Sequence, residues 1–104
     1  MLLDRRGQST IIDGITYTIG MRVFATDESD YEGLVGKILE IRDGEDKETD
    51  NETVDIICCF DPPLDKDMRK QIEKRFTEIN GEKTKIDDIA MDFVIMSPDM
   101  IRAV

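Results

Sequence analysis

The sequence predicts an α+β fold that is mainly β, with antiparallel strands and one amphipathic helix packed on them. Apolar and polar residues alternate with a period of two over much of the first 60 residues, as in half-buried strands. A single helical stripe follows, in which apolar residues recur every three or four positions between residues 64 and 79. The 104 residues suit one domain, so we expect residues 1–104 to form a single domain with a loose start over residues 1–8.

Five strands are predicted before the helix: residues 10–12, 15–19, 21–26, 33–42 and 53–60. Asp13-Gly14 is a strong signal for a tight hairpin turn between the first two. Gly33 and Gly36 indicate a sharp bend or a bulge in the fourth strand.

After the strands, Asp61-Pro62-Pro63 predicts a stop, and the helix is predicted over residues 64–79. Asn80-Gly81 supplies its C-terminal end. We expect a short helical turn at 85–89, a last strand at 90–96 and a closing turn at 97–104. The predicted core consists of Val23, Ala25, Leu34, Ile38, Ile41, Val54, Ile56, Cys58, Leu64, Met68, Ile72, Phe76, Phe93 and Ile95.

The charge excludes several classes of function. The chain carries 24 acidic and 14 basic residues, a formal net charge of -10. Residues 27–67 alone hold 15 acidic and 4 basic residues, a local net charge of -11. Such a surface repels phosphates, so we expect no direct binding of nucleic acid and instead a partner protein with a basic surface.

No apolar run is long enough to span a bilayer, and the start lacks the pattern of a signal peptide, so a cytoplasmic location without membrane contact is predicted.

Catalytic chemistry and cofactors are not predicted. The chain has no His, so neither a Ser-His nor a Cys-His nucleophile can form. Cys58 and Cys59 are the only cysteines, and adjacent strand residues point to opposite faces, so one thiol is expected in the core and one at the surface. We therefore predict a non-enzymatic protein with no cofactor and no bound metal.

Residues 20–42 carry a resemblance to a known fold. Gly20, a strand that ends in Val23-Phe24-Ala25, a polar loop and the run YEGLVGKI at 31–38 follow one another in this order. The order resembles small SH3-like barrels of the KOW and Tudor type, and implies a small antiparallel barrel with the helix packed on it. KOW-type barrels often contact RNA, whereas the corresponding loop here is acidic.

The whole chain also resembles a group of short acidic uncharacterised proteins of Gram-positive bacteria, often associated with mobile elements. The segments that carry this resemblance are Gly33-Leu34, residues 40–44, Asp61-Pro62-Pro63 and residues 87–96. It implies a biological setting and no particular activity.

Two acidic loops are the candidate partner-binding residues. The first contributes Asp27, Glu28, Asp30, Tyr31 and Glu32, and the second contributes Asp43, Glu45, Asp46, Glu48 and Asp50. The second loop has no apolar residue from 43 to 52, which predicts a long, mobile hairpin tip. Weak association with Ca²⁺ or Mg²⁺ is an open alternative there, although the loop does not fit the EF-hand pattern.

The sequence therefore predicts a small acidic protein-interaction module that associates with a basic protein surface. An alternative is a nucleic-acid mimic that inhibits a DNA-binding protein, because a dense array of carboxylates resembles duplex phosphates. A small enzyme with two convergent carboxylates is the third hypothesis. The sequence leaves open whether the protein is a monomer or a weak homodimer.

Overall fold

The structure, a computed structural model that describes residues 1–104, confirms an α+β fold that is mainly β. The strands are β1 Leu2–Leu3, β2 Ser9–Ile12, β3 Ile15–Thr18, β4 Arg22–Ala25, β5 Val35–Arg42, β6 Asp55–Phe60, β7 Val94–Met96 and β8 Ile101–Ala103. The single α-helix, α1, runs over Lys66–Asn80. Short 3-10 turns lie at Gly44–Asp46, Ile86–Asp88 and Pro98–Met100.

All strand pairings are antiparallel. One sheet has the order β7-β6-β5-β4-β8, and β2 and β3 form a separate hairpin. The long central strand β5 pairs with β6 on one side, and on its other side with β4 near its start and β1 at its end. The hairpin turn has positive φ at both Asp13 (50°) and Gly14 (80°), as a type I′ turn requires.

The larger sheet is strongly curled. Strands β7 and β8 stand at opposite ends of its order, yet only residues 97–100 connect them. From Met96 to Ile101 the chain can reach at most roughly 17 Å, whereas four strand spacings in a flat sheet span roughly 19 Å. The connection also contains a 3-10 turn, which shortens it further. The two ends of the sheet must therefore lie close together, although the sheet remains open, with no pairing between β7 and β8.

The core confirms most of the predicted apolar residues. Fully or almost fully buried side chains include Val23, Ala25, Leu34, Ile38, Ile41, Val54, Ile56, Cys58 and Ile72. Met68 and Phe76 from α1 pack against this cluster and are partly buried. One face of the helix thus closes the core beside the sheet, as the helical stripe predicts.

The prediction that Leu64 lies in the core is wrong, since 96% of its surface is exposed. The helix begins only at Lys66, and the Asp65 side chain caps it by accepting a hydrogen bond from the Asp67 amide. Leu64 therefore precedes the first turn and does not share the helical stripe.

The predicted orientation of Phe93 and Ile95 toward the core is also wrong. Val94 and Met96 are the buried residues of β7, whereas Phe93 is 48% exposed and Ile95 is half-buried. A strand shifted by one residue exchanges its two faces, which accounts for both errors. The Phe93 ring instead lies on the outer side, with the Arg42 guanidinium 5.7 Å from its centre.

Both ends of the chain are more ordered than predicted. Leu2 and Leu3, expected to be part of a loose start, pair with Arg42 and Ile41 in β5. The segment 97–104, expected as a closing turn, continues into β8, which pairs with β4. Short segments of this kind gain their structure from neighbouring strands, so local patterns do not reveal them.

Gly36 is required by the close approach of two strands. The register irregularity in β5 lies between Ile38 and Glu40, whereas the predicted sharp bend is present at Gly33, which has a φ of 90° in the turn before β5. An added Cβ at Gly36 would stand only 2.1 Å from the carbonyl oxygen of Cys59 and 2.8 Å from the Cα of Phe60. Both are backbone atoms of β6, so a side chain at this position must push β5 and β6 apart.

We predict that Gly36→Ala lowers the free energy of unfolding by at least about 2 kcal/mol, because the new methyl group overpacks the β5–β6 contact. Gly44→Ala is the comparison: its Cβ meets no atom within 4 Å, and it costs only the strain of a positive φ, about 1 kcal/mol. Urea unfolding measures both. Equal stability of the two variants would contradict the close-approach explanation.

Candidate functional site

A buried carboxylate on β6 organises the second acidic loop. Asp55 has no exposed surface. Its carboxylate accepts hydrogen bonds from the backbone amides of Glu48 (2.7 Å) and Thr49 (3.1 Å), from the Asn51 side-chain amide (3.0 Å) and from the Thr49 hydroxyl. Residues 48–51 therefore fold back over the side of β6 that faces away from the core.

These hydrogen bonds determine how Asp55 ionises. Burial alone would raise the pKa of Asp55. The hydrogen bonds from the Thr49 hydroxyl and from the amides of Glu48 and Thr49, with the charge of Lys47, outweigh that effect and lower the pKa below its usual value. Asp55 is thus a fixed buried anion at neutral pH, satisfied by donors of one loop.

Further side chains hold the same loop in place. Arg42 pairs with Glu48 at 2.7 Å and with Glu40 at 2.6 Å, and Lys47 donates to the carbonyl oxygen of Asn51. The loop predicted to be a mobile hairpin tip is instead folded against the sheet. Hydrogen bonds and ion pairs, rather than the burial of apolar surface, hold this loop in place, so it can be ordered without an apolar residue.

The N-terminus joins this arrangement. The Met1 ammonium group lies 2.7 Å from an Asp43 carboxylate oxygen and 3.0 Å from one of Asp46. Hydrogen bonding to Asp43, then to Asp46, raises the pKa of the ammonium group. Of the five predicted acids in this loop, Glu45 and Asp50 are left without a cation.

Asp50 belongs to an acidic cleft of about 490 Å³. The cleft has no hydrophobic lining residue and is formed by Asp13, Asp50, Asn51, Glu52, Thr53, Ser97, Pro98 and Asp99. None of its four carboxylates forms an ion pair within the chain. We call this cleft the acidic cleft, after its four acidic residues Asp13, Asp50, Glu52 and Asp99.

Three separate parts of the fold bring the acidic cleft together. Asp13 stands in the β2–β3 turn, and Asp99 stands in the Pro98–Met100 turn, where it accepts a hydrogen bond from the Ser97 hydroxyl. Asp50 is placed by its neighbour Asn51, whose side-chain amide also lies within hydrogen-bond distance of the carbonyl oxygens of Val54 and Met96.

The first acidic loop is tied to the helix. Arg75 donates to the carbonyl oxygens of Asp30 (2.7 Å) and Glu32 (3.3 Å). Tyr31 packs its ring between two aromatic side chains of the core region, Phe60 at 5.5 Å and Phe76 at 5.1 Å. Its hydroxyl donates to the carbonyl oxygen of Ala90, and burial raises its pKa.

Tyr31 thus anchors the loop, and the four acids around it, Asp27, Glu28, Asp30 and Glu32, are exposed. The two acidic loops leave opposite ends of β5, roughly 23 Å apart along the strand. The Pro98–Met100 turn, which carries Asp99 of the acidic cleft, also contacts the start of the first acidic loop. There Thr26 donates hydrogen bonds to the carbonyl oxygens of Asp99 and Met100, both at 2.8 Å.

Only Asp50 among the ten predicted site residues lines the acidic cleft. Sequence reasoning missed Asp13, Glu52 and Asp99. Asp13 looks like a turn residue, and Asp99 lies in a segment predicted as a plain closing turn. Their proximity to Asp50 depends on long-range contacts, such as the pairing of Met96 with Ile56, that local patterns do not reveal. Density of charge along the sequence is the only signal that points to this part of the surface.

The acidic side chains form no cluster of metal-ligating groups, and the two thiols differ in burial. No group of three or more Cys, Asp or Glu side chains is placed to hold a metal ion. Both cysteines are free. Cys58 is fully buried, and burial raises the pKa of its thiol to about 12, whereas Cys59 is partly exposed.

Comparison with known proteins does not extend this description. No protein family, no curated protein and no solved structure matches the chain. No helix in the structure combines the length and the apolar character that crossing a membrane would require.

We predict that Asp55→Asn lowers the free energy of unfolding at pH 7 by about 1–3 kcal/mol, because donors of the loop lose their charged acceptor. The folded-state pKa of Asp55 lies below the unfolded value of about 3.9. The stabilisation is therefore complete above that value and is lost as the pH falls through the folded pKa.

Urea unfolding of the wild type and the variant between neutral and acidic pH measures this difference. The gap in stability between the two proteins should narrow on acidification, because a protonated Asp55 is uncharged, like the asparagine side chain of the variant. A gap that is independent of pH would contradict the assigned role of the ionised carboxylate.

Proposed function

We propose that this protein is a non-enzymatic interaction module that binds the basic surface of a partner protein through the acidic cleft. The observation that carries this proposal is that four acidic residues line one cleft and none of them is paired with a cation of the chain. A Lys ammonium or an Arg guanidinium group would supply the missing charge.

The rigidity of the site supports the same function. Asp55 fixes residues 48–51, and the Pro98–Met100 turn is joined to Thr26 by two hydrogen bonds. A binding surface that is already ordered loses less conformational entropy on association. The exposed Asp27 and Glu28 follow Thr26 in the chain, and we include them as an outer part of the contact that steers a basic partner.

Mimicry of nucleic acid is the less favoured alternative. Such a mimic needs carboxylates arrayed in lines like the phosphates of a duplex. The four acidic residues instead line one cleft, an arrangement that suits the binding of one or two basic side chains better than the imitation of a duplex.

We also propose that the curled sheet is a small barrel of the SH3-like type, in a cytoplasmic protein related to the short acidic proteins of Gram-positive bacteria. The short 3-10 connection between β7 and β8, at opposite ends of the strand order, supports the barrel. Two of the glycines that carry the resemblance, Gly33 and Gly36, lie at the β4–β5 junction, and Gly36 permits close packing on β6.

A charge-matched pair of triple variants tests the binding proposal. The first carries Asp50→Asn, Glu52→Gln and Asp99→Asn in the acidic cleft. The second carries Glu78→Gln, Glu82→Gln and Asp88→Asn, which are exposed acids elsewhere on the chain. A labelled Lys/Arg-rich peptide is titrated with each protein at low salt, and its fluorescence anisotropy is recorded.

We expect the cleft variant to bind the peptide at least about tenfold more weakly than the control variant, because charge-assisted contacts are lost at one place. Equal weakening by the two variants would mean that the peptide responds to net charge alone, and would overturn the proposed site. Chemical shifts of backbone amides in NMR spectra locate the contact independently.

A further inference from the structure

A basic cleft that shares no lining residue with the acidic cleft exists on this acidic protein. A second cleft, of about 440 Å³, is lined by the cations Arg6, Arg22 and Lys37, with Asp4 as its single acid. Its remaining lining residues are Ile19, Gly20, Ile38 and Leu39. Three cations therefore gather at one place in a chain whose formal net charge is -10.

These cations are poorly neutralised by the chain itself. Arg22 and Lys37 are direct cross-strand partners in β4 and β5, an arrangement of like charges that weakens a sheet. Arg6 and Lys37 form no ion pair, and Arg22 has only Asp61 at 3.5 Å, with both side chains at least 60% exposed. Such an exposed pair contributes little stability, so most of the positive charge remains available.

The same outer face of the sheet continues to an exposed aromatic ring. Phe24 lies two residues after Arg22, and hence on the same face of β4. It is 39% exposed, and its cross-strand partner in β8 is the exposed Arg102. We define Arg6, Arg22, Lys37, Phe24 and Arg102 as the basic face.

We propose that the basic face docks an extended acidic segment of a partner polypeptide, so that the protein has two binding surfaces of opposite charge. In an extended chain, alternate side chains lie roughly 7 Å apart, which matches the step from Arg22 to Phe24 along β4. One carboxylate would lie between Arg22 and Lys37 and relieve their repulsion, and the next would reach Arg102 beside an apolar contact with the Phe24 ring.

The overall charge favours a polypeptide over a nucleic acid as the occupant. Each phosphate of a polynucleotide beyond the basic face would meet the negative field of the remaining surface. A short acidic segment with an apolar residue presents only as many charges as the basic face can pair. The charge and the exposed ring thus point to the same class of partner.

The test uses labelled peptides of extended sequence with glutamates at alternating positions and one central leucine, and a matched peptide with glutamines instead. A labelled single-stranded oligonucleotide is the third probe. Each is titrated by fluorescence anisotropy with the wild type, with Lys37→Glu, with Phe24→Ser and with Lys70→Glu. Lys70 is an exposed residue of α1 and gives the same change in charge away from the basic face.

We expect the glutamate peptide to bind the wild type and Lys70→Glu about equally, and Lys37→Glu at least about tenfold more weakly. The Lys37→Glu variant should fold, because a carboxylate at this position faces Arg22 across the two strands. Phe24→Ser should weaken binding with no change in charge.

Three results would overturn the proposal: no binding of the glutamate peptide at low salt, equal binding of the glutamine peptide, or binding of the oligonucleotide in preference to the peptide. An equal loss of affinity for the glutamate peptide in Lys37→Glu and Lys70→Glu would also overturn the proposal, since binding would then depend on net charge alone. The proposed function is tested separately, because its probe, the Lys/Arg-rich peptide, is expected to bind at the acidic cleft. If the glutamate peptide fails to bind the basic face, the affinity for the Lys/Arg-rich peptide can still be measured.

Discussion

The structure depends on one buried anion, the Asp55 carboxylate. It accepts hydrogen bonds from residues 48, 49 and 51 of one loop, and so holds this polar segment against the outer side of β6. The same loop places Asp50 and Glu52 beside the turns that carry Asp13 and Asp99. A group that normally destabilises a protein interior thus becomes, through its hydrogen bonds, the support of the acidic cleft.

The distribution of charge also acquires a structural meaning. Some acids in residues 43–52 are neutralised locally, by the Met1 ammonium group and by Arg42, whereas the acidic cleft has no cation. The basic face shows the opposite imbalance, with three cations around one acid in its cleft. A net charge of -10 therefore conceals two surfaces of opposite charge.

Local patterns predict α1, the Asp13-Gly14 turn and most of the core, because each depends on periodicity or on the preferences of neighbouring residues. They fail where a long-range contact decides the structure. Asp55 occupies an outward position of β6 that normally faces water, and nothing in the sequence indicates that Thr49 and Asn51 bond to it. Asp99 lies near Asp50 because Met96 pairs with Ile56 and accepts a hydrogen bond from Asn51, and the basic face depends on strand register between β4, β5 and β8.

The most direct test of the central claim is the affinity of Asp55→Asn for the Lys/Arg-rich peptide, with Asp88→Asn as a control for the loss of one charge. All four carboxylates of the acidic cleft remain in both variants. If Asp55 positions the cleft, Asp55→Asn should bind the peptide at least about fivefold more weakly than Asp88→Asn, while circular dichroism shows that both are folded. Equal affinities of the two folded variants would contradict the account.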